Sequence, residues 1–221
     1  LGDVYKRQDA EAAIKAAMAE VKRLERLLSR FEPESDVSSV NKASADDPVM
    51  VNAATAEVLA LALEVSERTR GAFDITVGPA IELWRDAAEK QRTPGENEIS
   101  QTLAGIGWGA LSVDGSAHTV TKSRDGVTID LGAVAKGFIA DKAAESMRKS
   151  GVVSGFVNAG GDGIYIGSSP QGAPWRVGVR DPRRGGDIVE TLSVIDAAVV
   201  TSGNYERFSI IDSQRYSHII D

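Results

Sequence analysis

An acid, two glycines and a lysine stand close together in the sequence IDLGAVAKGFIADKA, residues 129–143. Asp130 ends an apolar run, and the pattern that follows it predicts a helix. The free N–H groups at a helix start favour an anion, which Lys136 would reach as a point charge. The backbone carbonyl of Ala133 suits a hard cation such as Mg²⁺. A capped helix with an exposed lysine is the alternative, which these residues alone favour.

A second candidate is Asp74, within the apolar and small-residue run GAFDITVGP, residues 71–79. This setting predicts a partly buried carboxylate, and a buried carboxylate needs partners. The ring N–H or hydroxyl groups of a ligand are one possible set of partners. Alternatively, the role of Asp74 is structural, and its carboxylate caps the helix after Gly78 or bonds to Thr76. The residues alone leave both interpretations open.

The remaining polar motifs are weaker taken singly. NAGGDG, residues 158–163, lacks the order of a phosphate-binding loop, and a hairpin turn is the favoured interpretation. TSGNYERF, residues 201–208, fits either a loop with an edge strand or the wall of a site. His218, in YSHIID, has the chemistry to take a proton from a hydroxyl group, although a lone histidine is more often structural. Together, carboxylates, a lysine and glycine-rich turns suit a phosphate ligand bound with Mg²⁺.

The composition excludes several other classes of protein. The chain has 221 residues and a net charge of −7, which argues against a nucleic-acid-binding protein. It has no cysteine, so disulfides, thiolate catalysis and zinc–thiolate sites are excluded. No apolar run of about 18 residues occurs, so these residues are not expected to span a membrane.

Apolar periodicity places helices in the first half of the chain. One is predicted from Asp9 to about residue 30, after which residues 32–48 read as a polar loop. The next is expected at 53–70, with Asn52 as its N-cap and Gly71 at its end. A third should begin at residues 78–79, and a short fourth should follow at residues 96–107.

Strands dominate the second half. Residues 110–123 read as a hairpin and 125–132 as a further strand, before a helix over 134–149. After residue 151 the chain is rich in strands. We therefore predict an α+β fold with largely antiparallel sheets, flanking helices and two closely joined lobes.

Seven motifs, in order, resemble those of the FAD:protein FMN transferases, the ApbE-like flavin transferases. They are LSRFEPESDVSSVN, GAFDITVGPAIELW, IDLGAVAKGFIAD, VNAGGD, PWRVGVRDP, VVTSGNYERF and YSHIID. The resemblance runs from about residue 24 to the C-terminus. Residues 1–8 offer no match, and we interpret residues 9–221 as a single domain of this type that is incomplete at its C-terminus.

The resemblance implies Mg²⁺-dependent transfer of the FMN half of FAD to a threonine hydroxyl of a target protein, with release of AMP. An FAD diphosphatase and a non-catalytic flavin-binding module are the alternatives. The expected acceptors are flavin-carrying subunits of membrane redox pumps or extracytoplasmic electron carriers. Family members are commonly lipoproteins on the periplasmic or outer side of the bacterial inner membrane.

The resemblance also implies roles for individual residues, with the flavin site in the cleft between the lobes. Phe31 would stack on the flavin, and His218 and Asp130 would be catalytic, with His218 assisting deprotonation of the acceptor threonine. The Ala133 carbonyl would bind the metal, and its remaining ligands are expected beyond Asp221. A chain without those ligands is expected to bind FAD and Mg²⁺ weakly and to transfer flavin poorly. The FAD-binding residues implied are Phe31, Ala72, Phe73, Asp74, Asp130, Lys136 and Ile220.

Overall fold

The computed structural model describes residues 2–182, 186–203, 208–217 and 219–220, and for residues 2–8 it describes the backbone alone. The chain divides into two compact units. Unit 1 comprises residues 1–25 and 136–202, and unit 2 comprises residues 26–135 and 203–221. This division agrees with the prediction of two lobes, whereas the cleft expected between them stays a prediction.

Helices fill most of the first half of the chain, as predicted, and one more precedes the strand-rich second half. They are α1 (Gly2–Leu28), α2 (Asp36–Lys42), α3 (Ala53–Arg68), α4 (Gly78–Glu89), α5 (Glu96–Leu103) and α6 (Ala135–Lys149), with a 3₁₀ turn at Trp108–Ala110. No helix among the residues placed by the structure combines the length and apolar character needed to cross a bilayer.

The strands are β1 (Val49–Met50), β2 (Leu111–Asp114), β3 (Thr119–Lys122), β4 (Gly155–Ala159), β5 (Asp162–Ile166), β6 (Trp175–Arg180), β7 (Ile188–Val194), β8 (Ala197–Val199), β9 (Phe208–Ile211) and β10 (Gln214–Ser217). Within the described ranges they form four small sheets, and each pairing is antiparallel. Unit 2 contains the sheet β1-β3-β2 and the hairpin β9-β10, and unit 1 contains β4-β5-β8 and β6-β7. The prediction of an α+β fold with largely antiparallel sheets is thus confirmed.

Local capping signals correctly predicted the residues that start and follow α3. The Asn52 side chain accepts a hydrogen bond from the Ala54 N–H at the start of α3. Gly71 follows that helix with a φ of 86°, a conformation that glycine adopts without strain. The start of α1 was predicted less well, because the helix begins at Gly2 rather than at Asp9.

The predicted polar loop at 32–48 contains a helix, α2, so that prediction was wrong there. The Ser35 hydroxyl accepts a hydrogen bond from the Ser38 N–H and caps the helix. Val37 and Val40, three residues apart, are fully buried. Two apolar side chains suffice because the helix has only seven residues, so the polar composition concealed it.

The predicted strand at 125–132 is also absent. Val127, Ile129 and Leu131 are buried in alternation, as a strand would bury them. However, the Ile129 N–H and C=O bond to the Asn41 side chain, at 2.6 and 3.0 Å. The Asn41 side chain thus takes the place of a neighbouring strand as the hydrogen-bond partner of the Ile129 backbone. The segment that leads to Asp130 is held in position without belonging to a sheet.

Each unit has its own buried apolar residues. In unit 1, Ala140 and Ala144 of α6 form a cluster with Ile164 and Ile166 of β5. In unit 2, buried side chains come from α2, α3, β3 and the segments around residues 75 and 129. They include Val37, Val40, Val58, Leu59, Ile75, Val120, Val127 and Ile129.

Candidate functional site

Asp130 stands at the end of the buried segment 127–131 in unit 2, and its surroundings hold it firmly. Its N–H donates to the Ile75 carbonyl at 2.8 Å, which joins this segment to the run 71–79. Its Oδ1 accepts a hydrogen bond from the Gly132 N–H at 2.7 Å. A Cβ on Gly132 would lie only 2.9 Å from that oxygen, so a larger residue there would displace the carboxylate. The carboxylate is 13% exposed.

Arg30 is the partner of Asp130 that sequence reasoning missed. Its Nε lies 2.8 Å from Asp130 Oδ2, and its Nη2 donates to Glu82 Oε1 at 2.5 Å. Arg30 follows α1 at a position where a surface arginine is unremarkable, and both of its partners are remote in sequence. No local signal could therefore have identified it.

Phe31 has the exposure that a stacking residue needs. Its side chain is 74% exposed, which is unusual for a large aromatic residue. The Arg30 guanidinium carbon lies 4.5 Å from the centre of its ring and so covers one face. The other side of the ring is accessible to a planar ligand.

The carboxylate of Asp74 is satisfied within the protein. Oδ1 accepts from the N–H and the hydroxyl of Thr76, both at 2.7 Å, and Oδ2 accepts from the Trp108 N–H at 3.0 Å. The structural interpretation, with a bond to Thr76, is therefore the one observed. Asp74 is half-buried, as predicted. A contact with FAD stays a prediction for Asp74.

Neighbouring candidates in unit 2 differ in exposure. Ala72 is exposed and Phe73 is half-buried, and the Phe73 N–H donates to the Thr69 hydroxyl at 3.1 Å. Ile220 is half-buried near the end of the chain. Their flavin contacts stay predictions. His218 lies outside the described residues, as do residues 204–207 of TSGNYERF.

Lys136 belongs to unit 1, where it pairs with a residue of the glycine-rich motif. Its Nζ lies 2.5 Å from Asp162 Oδ2, and Asp162 Oδ1 accepts from the Thr201 N–H at 3.3 Å. NAGGDG itself is the hairpin turn predicted, with Gly160 and Gly161 at φ of 64° and 101° between β4 and β5. The structure thus links three of the motifs around a carboxylate that sequence reasoning had left without a role.

The pKa of Asp162 is lowered, chiefly by the hydrogen bond from Lys136 and less by the Thr201 N–H, against the opposing effect of burial. A carboxylate with a lowered folded-state pKa stabilises the fold above its unfolded value of about 3.9. That contribution is lost as the pH falls through the folded-state pKa.

We expect Asp162→Asn to destabilise the chain by less than about 1 kcal/mol at pH 7, because Lys136 is half exposed. The difference from wild type should stay constant down to about pH 5 and shrink below about pH 4. Urea unfolding across this pH range measures it. A difference that grew on acidification would contradict the assignment.

The residues placed by the structure do not make a complete magnesium site. Ala133 lies in the turn before α6 and offers one carbonyl oxygen, whereas Mg²⁺ requires octahedral oxygen ligation. Over the described ranges, no group of three or more His, Cys, Asp or Glu side chains could hold a metal ion. The predicted metal role of Ala133 stays a prediction.

Unit 2 therefore brings together an accessible aromatic face, a held carboxylate and a half-buried guanidinium from separate segments. The links are the Arg30–Asp130 ion pair, the Arg30–Phe31 contact and the Asp130–Ile75 hydrogen bond. Such a set can stack a planar ring and accept hydrogen bonds from it. Unit 1 separately presents a lysine, whose charge suits a phosphate.

Comparison with known proteins gives a consistent result. The sequence model of the ApbE family matches residues 2–221. A curated FAD:protein FMN transferase of Treponema pallidum is 33% identical over 99% of this chain and 65% of its own length. A Klebsiella pneumoniae protein of the same name is 31% identical over 96% of this chain and 62% of its own length.

Solved structures agree. The crystal structure of the ApbE protein of Thermotoga maritima superposes with a TM-score of 0.86 at 35% identity, over 96% of this chain and 68% of that one. The flavin transferase ApbE of Vibrio cholerae gives 0.79 at 29% identity, over 94% and 67%. The chain thus spans less than two thirds of the length of these two curated relatives. Because the family model matches nearly the whole length of this chain, the chain belongs to the ApbE family.

Proposed function

We propose that this chain is the major part of a flavin transferase that moves the FMN half of FAD onto a threonine hydroxyl of a target protein and releases AMP. The main support is the convergence of Phe31, Asp130 and the segment 72–75 in unit 2. These three come from separate motifs that carry the resemblance to flavin transferases. The name of the curated relatives, FAD:protein FMN transferase, agrees with this reaction.

The proposed reaction is a substitution at the FMN phosphorus of FAD. The threonine oxygen forms the new P–O bond, and the bond from that phosphorus to the bridging oxygen breaks, so that oxygen leaves on AMP. His218 accepts the proton of the threonine hydroxyl. Phe31 orients the flavin ring by stacking, and Lys136 offsets charge on the diphosphate.

A magnesium ion is part of the proposal, since it would neutralise charge on the diphosphate when bound. Its ligands would have to include groups other than the side chains described above. The proposed acceptor is a flavin-carrying subunit of a membrane redox pump or an extracytoplasmic electron carrier. The reaction would accordingly take place on the periplasmic or outer side of the bacterial inner membrane, with the full-length protein held there by a lipid anchor.

The test is to incubate the chain with FAD, Mg²⁺ and the flavin-carrying subunit of a redox pump. We expect flavin fluorescence to migrate with the acceptor on a denaturing gel, at a low rate because the metal ligands are incomplete, and AMP to appear in equal amount. An acceptor with its threonine changed to alanine is the control, and EDTA tests the metal requirement. Free FMN and AMP without labelled protein would instead identify a diphosphatase. FAD binding without AMP would identify a binding module.

A further inference from the structure

The cluster around Arg30 joins residues from three parts of unit 2. Arg30 follows α1, Glu82 lies on α4, and Asp130 lies in the segment 127–131. The guanidinium reaches Glu82 through Nη2 at 2.5 Å and Asp130 through Nε at 2.8 Å. A planar group with donors in a fixed fork can engage two acceptors in this way, whereas an ammonium presents one point charge.

The contact with Asp130 is an attraction of charges rather than a directed hydrogen bond. Nε of Arg30 is buried and, among the residues that the structure describes, has no hydrogen-bond partner of suitable geometry, although Asp130 Oδ2 is close. Asp130 Oδ1, in contrast, accepts from the Gly132 N–H. Oδ2 is therefore held in place by the guanidinium while its lone pairs remain able to accept from a ligand.

The same guanidinium supports the ring of Phe31. Its carbon lies 4.5 Å from the ring centre, within the range of a cation–π contact. Phe31 is otherwise largely exposed, so this contact restricts the positions that the ring can take. One cation thus touches both a stacking side chain and a hydrogen-bond acceptor.

We infer that Arg30 is a positioning residue for flavin recognition, which couples the orientation of Phe31 to that of Asp130. The inference rests on the proposed function, because it needs these two residues to contact FAD. It adds a residue that the sequence motifs did not single out. Its action requires the planar guanidinium and not merely a positive charge.

The test compares FAD binding by wild type, Arg30→Met, Arg30→Lys and Phe31→Ala, using calorimetry and the visible absorbance of FAD. Arg30→Met should weaken binding about tenfold and reduce the absorbance shift that accompanies stacking. Arg30→Lys should stay within about threefold of Arg30→Met, because lysine restores the charge without the plane. In the double variant Arg30→Met/Phe31→Ala, the fold-loss of FAD affinity should be much smaller than the product of the two single fold-losses.

Arg23→Met is the matched control. It makes the same change on α1, where the arginine forms an exposed pair with Glu20 at 2.7 Å. It should bind FAD as wild type does, and thermal unfolding of each variant checks the fold.

Three results would overturn the inference and leave the proposed function standing. They are wild-type affinity for FAD in Arg30→Met, full recovery of affinity in Arg30→Lys, and additive effects of Arg30→Met and Phe31→Ala. If wild type itself binds no FAD, the proposed function fails, and the inference fails with it. The wild-type titration therefore separates these two failures.

Discussion

Asp130→Asn should lower the rate of flavin transfer about 100-fold, or about 3 kcal/mol in activation free energy. Asparagine keeps the shape of the side chain and can still accept from the Gly132 N–H through Oδ1. It removes the charge that faces Arg30, however, and sets an amide donor 2.8 Å from a guanidinium donor. The carboxylate is only 13% exposed, so water cannot fully compensate.

The measurement is the rate of labelling of the acceptor at saturating FAD, together with the affinity for FAD. Asp86→Asn is a suitable control, because Asp86 is an exposed residue on α4 whose pair with Lys90 is 3.5 Å long. That variant should transfer flavin at the wild-type rate. A rate for Asp130→Asn within threefold of wild type, with the fold intact, would show that the carboxylate is dispensable.

The parts of the fold that were predicted correctly depend on neighbours in sequence. The start of α3 is set by Asn52 bonding two residues ahead, and its end by the left-handed Gly71. The strand predicted at 125–132 was wrong because its backbone pairs with a residue distant in sequence. Its alternating apolar pattern is real, but Asn41 occupies its backbone groups, and this interaction spans 88 residues. Periodicity reports which side chains are buried, not what the backbone pairs with.

The same distinction applies to the candidate site. Asp130 and Lys136 were noticed because both are charged residues near a helix start, a local pattern. The role of Arg30 is visible only from its contact with Asp130 in the folded chain. The role of Asp162 is likewise visible only from its contact with Lys136. A cation at a helix end and an acid in a glycine turn are common surface features, so neither could be singled out from one sequence.

Lys136→Met should lower kcat/KM for FAD about 30-fold, since a charge-assisted contact with a phosphate contributes about 2 kcal/mol. Methionine preserves much of the length and the apolar stem of lysine but loses the charge. Lys136 is 51% exposed although its Nζ lies 2.5 Å from Asp162, so its cation is accessible to a ligand as well as to the carboxylate. The variant should be active but slow at low concentrations of FAD.

A loss of activity alone would not separate contact with phosphate from support of the β4-β5 turn. Salt dependence does, because added salt screens an exposed attraction between lysine and phosphate. Wild-type affinity for FAD should therefore fall with ionic strength more steeply than that of Lys136→Met. Lys149→Met is the matched control, since Lys149 lies on the same helix, is 73% exposed and pairs with Glu145 at 2.8 Å. If both variants kept the wild-type salt dependence, Lys136 would stabilise unit 1 through Asp162 without contacting FAD.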